Sequence, residues 1–96
     1  MRESVPERKT VKKAKAKGYE VRKVKWIGVN GAPDRLFGHE DYCPIPTLIE
    51  FKRPGTGSVA RPQQMLEHDR LRRIGFRVFV CDNEADALKA IGFPGA

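Results

Sequence analysis

The stretch GAPDRLFGHEDYCPIPTLIEFKRPG, Gly31 to Gly55, is broken by glycine or proline too often for a helix of useful length to fit inside it. Its uninterrupted runs are short. DRLFG predicts one apolar strand and TLIEFK a β-rich one, with HEDYCPIP between them as a loop interrupted by two prolines. Tyr19 to Trp26, YEVRKVKW, also has strand composition and runs into the turn IGVNGAP, so the three segments read as a meander. Outside this region the pattern changes to helical. Ser4-Val5-Pro6-Glu7 has the form of a capping box, with serine as N-cap, proline in the first turn and glutamate placed to reach back. A helix is predicted from about Val5 to Lys17, stopped by Gly18. On a 3.6-residue period Glu3, Glu7, Val11, Ala14 and Gly18 form one stripe, so two acids continue the line that should face the core.

After TLIEFK comes RPGTGSVARP, expected as a mobile loop, then a helix from Gln63 to Ile74 stopped by Gly75. FRVFVC reads as a buried strand and NEADALKAI as a final helix with Asn83 as its cap. The predicted order is αβββαβα. Strands followed by helix and strand argue an α/β fold, because a sheet must cover its apolar face with helices. With no internal repeat, residues 1–96 are expected to form one domain, a mixed central sheet flanked by helices.

Charge is distributed unevenly. The net +7 of the chain resides entirely in residues 1–27, and the remainder is balanced. A one-sided basic surface attracts polyanions through Coulomb steering and counterion release. Lys9, Lys12 and Lys13 lie largely off the apolar stripe and are candidate phosphate contacts, against the alternative of a merely solvated face. No apolar run approaches a membrane span, and the first residues lack the apolar core of a signal peptide, so a cytoplasmic protein is expected. Cys43 and Cys81 form no CxxC pair, which argues against a disulfide framework or a zinc site with His39 and His68.

Asp34, Glu50 and Lys52 stand out against this basic background. Asp34 begins the second predicted strand, while Glu50 and Lys52, two apart, share one side of the third. If these strands are neighbours, the three groups meet. Two carboxylates, with the backbone carbonyl of Phe51 between Glu50 and Lys52, suit Mg²⁺ or Mn²⁺, hard cations that take few protein oxygens and keep positions for water and phosphate. A divalent ion lowers the pKa of coordinated water and offsets charge on a phosphodiester, and an adjacent ammonium can orient that water. The triplet EFK is weak alone, since Glu7-Arg8-Lys9 repeats the acid-x-Lys pattern and a salt bridge at a strand end is its plain alternative. The Pro-Asp pair sixteen residues before Glu50 makes the pattern more specific.

GAPDR, IEFKRPG and RPQQMLEHDRLRRIGFRVFVCD together resemble the three motifs of the VRR-NUC nucleases, a branch of the PD-(D/E)XK superfamily. ESVPERKTVKKAKAKG is similar to that family's opening helix, so the resemblance runs from about Glu3 to Leu88. It implies that Asp34 and Glu50 bind the metal and that Lys52 is the catalytic lysine. It also implies a glutamine at the start of the helix after EFK, where spacing to Leu71 and Gly75 favours Gln64 over Gln63. A glutamate of the first helix is implied near the metal, Glu3 by position, with Glu7 as capping residue or stand-in. Arg35, Arg53 and Arg61 flank this site and are expected to contact phosphates. His68, on the face of Gln64 and Leu71, is expected in the core or behind the site; Trp26 and Tyr42 are expected to pack more than to stack on bases.

The function expected from this resemblance is a divalent-metal-dependent DNA endonuclease leaving 5′-phosphates, selective for branched DNA such as Holliday junctions. A homodimer is expected because two-fold symmetry suits a four-way junction. The setting is a bacterial or phage-infected cell. Two rivals are a non-catalytic nucleic-acid-binding module and a nuclease subunit that needs a partner.

Overall fold

The computed structural model describes residues 3–55 and 60–96; part of the loop expected between Arg53 and Pro62 lies outside the described residues. Its elements are α1 (Val5–Ala16), β1 (Glu20–Lys23), β2 (Arg35–His39), β3 (Cys43–Phe51), α2 (Pro62–Arg73), β4 (Arg77–Cys81) and α3 (Glu84–Ala90). The order αβββαβα agrees with the sequence reading. The four strands lie in the order β1-β2-β3-β4. β1 and β3 flank β2 antiparallel, and β4 joins β3 in parallel after the crossover through α2. This is a mixed sheet flanked by helices.

Alternation along β3 sorts the core into two layers. Ile49, with Phe37 of β2, packs on the α1 and α3 side, among Val11, Ala14, Ala87 and Ile91. Leu48 faces the other way, with Val78 and with Leu71 of α2. The α2 layer is the thinner. Only His68 and Leu71 of that helix are buried, whereas α1 buries Pro6, Glu7, Thr10, Val11 and Ala14.

Local signals explain the helix ends. The Ser4 hydroxyl accepts the Glu7 N–H at 3.3 Å, and the Asn83 side chain accepts that of Asp86 at 2.8 Å. Gly18 and Gly75 follow α1 and α2 with φ of 92° and 109°, the left-handed geometry that ends a helix. The capping box at α1 forms only on its serine side. The Glu7 carboxylate turns instead to Arg35, at 2.7 Å from Nε.

β3 is longer than TLIEFK suggests, because Cys43 to Pro46 belongs to the strand. Pro44 and Pro46, two residues apart, withhold their missing N–H groups on one edge. β4 begins to pair only at Thr47, so that edge has no partner strand to lose. β1 is shorter than expected, ending at Lys23, although the Val24 N–H still donates to the Asp34 carbonyl at 2.8 Å.

Candidate active site

The β2–β3 register pairs Arg35 with Ile49, Leu36 with Leu48 and Phe37 with Thr47. Extended one step, it sets Asp34 opposite Glu50, on the side of the sheet that α2 covers. Lys52 is two residues further along that side, and its backbone N–H donates to the Cys81 carbonyl at 2.8 Å. Thus an antiparallel neighbour places the two acids and a parallel neighbour fixes the lysine. The three side chains line one cleft of about 570 Å³ with Glu3, Ser4, Glu7, Lys23, Phe51 and Arg53.

Gln64 supplies the contact from α2. Its Oε1 accepts from Lys52 Nζ at 2.9 Å and from the Arg61 backbone N–H at 3.0 Å. The second bond also satisfies an N-terminal donor of the helix, so the carboxamide is held from two directions. Gln63 is exposed, which makes Gln64 the glutamine that meets the lysine. One turn on, His68 is buried, and its Nε2 has no hydrogen-bond partner among the described residues. Burial, followed by the nearby charges of Arg72 and Lys52, pushes its imidazole below the ordinary histidine range and favours the neutral form.

At the other side of the cleft mouth, Arg35 binds Glu7 of α1 and Glu3, which precedes the helix. It donates from Nε to Glu7 at 2.7 Å and from an Nη to Glu3. Arg35 and Glu7 are buried, while Glu3 is about one-third exposed. Arg35, expected to face phosphate, is therefore placed inside the fold with its guanidinium engaged by two carboxylates. The signal was present in the sequence: Arg35 alternates with Phe37 on the inward face of β2, opposite the α1 stripe that carries Glu3 and Glu7. Arg53 and Arg61 are exposed near the cleft. Lys9, Lys12 and Lys13 project from α1 toward α3, where Lys13 pairs with Glu84 at 2.7 Å.

The electrostatics of Glu50 are those of a crowded anion. Burial raises its pKa, Lys52 opposes that shift, and the carboxylates of Asp34 and Glu7 raise it further. A cation bound between Asp34 and Glu50 would relieve this cost, and two carboxylates beside the Phe51 backbone form an all-oxygen donor set. That chemistry fits Mg²⁺ or Mn²⁺. Among the described residues no three His, Cys, Asp or Glu side chains gather as one metal-holding group. No helix among the described residues is long and apolar enough to cross a membrane.

A mixed sheet carries two carboxylates and a lysine at one end, backed by a glutamine from the following helix. Comparison with solved structures gives the class of the fold, a PD-(D/E)XK-like nuclease fold. A structure described as a VRR_NUC domain superposes with a TM-score of 0.73 at 28% identity, covering 88% of this chain and 87% of its own. The chain has the VRR-NUC-like nuclease fold, and the likeness supports a nuclease-family function. No family model matches the sequence, and no curated protein matches it either.

Proposed function

We propose that this protein is a divalent-metal-dependent endonuclease that hydrolyses DNA phosphodiesters and selects branched DNA, four-way junctions first. The observation that carries the reading is the shared cleft of Asp34, Glu50 and Lys52, with Gln64 hydrogen-bonded to the lysine. Asp34, Glu50 and the Phe51 carbonyl would hold Mg²⁺ or Mn²⁺. When bound, the ion would supply Lewis-acid stabilisation of charge on the phosphate and water of lowered pKa.

The chain's own groups do the rest. Gln64 Oε1, fixed by the Arg61 N–H, holds the Lys52 ammonium at the cleft, where it orients the attacking water and offsets charge on the scissile phosphate. Glu7, anchored by Arg35, adds negative potential behind Glu50 and strengthens the demand for a cation. Glu3 lines the mouth of the same cleft. Arg53 and Arg61 contact backbone phosphates flanking the cut, and Lys9, Lys12 and Lys13 add sequence-independent attraction. Arg35, facing the two glutamates, positions these groups from inside. A homodimer would offer two equivalent clefts to the two strands cut in a junction.

The test is cleavage of end-labelled four-way junction, flap and duplex DNA by wild type and Lys52→Ala, with Mg²⁺, Mn²⁺ or EDTA. Metal-dependent cutting of the junction, reduced about 10²–10⁴-fold in Lys52→Ala, is expected for a positioned proton-transfer group. DNA bound but uncut in every lane would leave the two rivals, a binding module or a nuclease subunit that needs a partner.

A further inference from the structure

The glutamates at the start of the chain's first helix, Glu7 within it and Glu3 just before it, already have a cation. Arg35 donates to Glu7 at 2.7 Å and to Glu3, and the arginine and Glu7 side chains are each only 11% exposed. A guanidinium stays charged at any ordinary pH and matches carboxylates with a rigid fork of donors. Withdrawing it would leave the buried Glu7 carboxylate without a counter-charge, which is far costlier than breaking a surface pair. Among the described residues Asp34 and Glu50 have no buried arginine of this kind, only the charges of Lys23 and Lys52. Lys23 is 4.0 Å from Asp34, both side chains being about half exposed, and Lys52 donates to Gln64. The cleft therefore holds two kinds of acid, one pair neutralised from within the fold and one pair open to an outside cation.

Hydrolysis with two ions needs enough carboxylates to clamp both, about 3.5–4 Å apart. Asp34 and Glu50 alone are a donor set for one. We infer that Arg35 serves as a built-in second cation, so that the cleft takes one divalent ion per chain. Glu3 and Glu7 are then positioning residues, held by Arg35 at the cleft and not available to an outside cation. This inference rests on the metal-dependent reading given above, which it deepens by setting the number of ions.

The experiment is a calorimetric titration of the metal-free full chain with Mn²⁺, for wild type, Arg35→Lys and Arg35→Gln, with thermal melts in EDTA and in Mn²⁺. One ion per chain is expected for wild type and for Arg35→Lys. Arg35→Gln strands two carboxylates and is expected to take up a second ion. Its melting midpoint, lowered in EDTA, should recover in Mn²⁺ by more than wild type gains. Two ions in wild type would overturn the inference, as would Arg35→Gln that stays at one ion with the wild-type response to Mn²⁺. If Arg35→Gln does not fold in EDTA, the wild-type count still decides. Wild type that binds no Mn²⁺ at all would remove the metal-dependent reading itself, an outcome distinct from a wrong count.

Discussion

The two ends of the β2–β3 hairpin solve opposite problems. At the turn end Tyr19, His39, Tyr42 and Phe93 pack ring against ring, with centroids 4.5–6.3 Å apart. The Tyr19 hydroxyl donates to the Ile91 carbonyl at 2.8 Å, and burial pushes its pKa up to about 12, so the ring stays neutral. At the open end the same strands carry Asp34 and Glu50, with burial and two neighbouring carboxylates working against the ionised form of Glu50. One end is built from packed rings and a paired hydroxyl, the other from charged groups crowded into one cleft. Stability belongs to the first end, and the proposed chemistry to the second.

That division makes predictions of graded size. Phe37→Ala removes a fully buried ring from the layer shared with α1 and α3 and should cost about 3–5 kcal/mol in urea unfolding. A loss below about 1 kcal/mol would show that the packed half is not what holds the fold. Gly92→Ala comes next. Gly92 has φ of 65°, and a Cβ there would lie 2.3 Å from the Tyr42 carbonyl oxygen, so the chain end can close over the turn only without a side chain. A loss of about 1–3 kcal/mol is expected, read by the same unfolding curves.

The smallest effect has the opposite sign. Because the folded state raises the Glu50 pKa, its ionisation weakens the fold as pH rises through the folded-state value. Glu50→Gln should therefore be more stable than wild type at neutral pH, and the gap should close once pH falls below the ordinary glutamate range near 4.3. Thermal melts across pH 3–8 without divalent ions check this, and a variant less stable than wild type at pH 7 would contradict the account of the open end.

How far the residues alone disclosed this arrangement differs from element to element. All three helices fall within one or two residues of the ends expected from Ser4, Gly18, Gly75 and Asn83, because caps and glycines act locally. Asp34, Glu50 and Lys52 share a cleft as strand alternation implies. The strand around Pro44 and Pro46 was hidden, since whether a missing N–H matters depends on where β4 starts to pair. The alternation of Arg35 with Phe37 was legible, but its pairing with Glu3 and Glu7 was hidden for a related reason. A basic residue beside an acid reads as a surface group until the partner across the sheet is known, and that partner is a helix almost thirty residues away in the chain.

The backbone bond from Lys52 to Cys81 ties the lysine to the order in which the chain is made. Both acids and the lysine are synthesised well before β4, yet the lysine's strand gains its second neighbour only when Arg77–Cys81 docks beside it. A nascent chain that has reached α2 carries every reactive group but not the finished arrangement of them. On the ribosome, surrounded by nucleic acid, the proposed cutting site thus stays unassembled until β4, the last strand in the described order, has emerged.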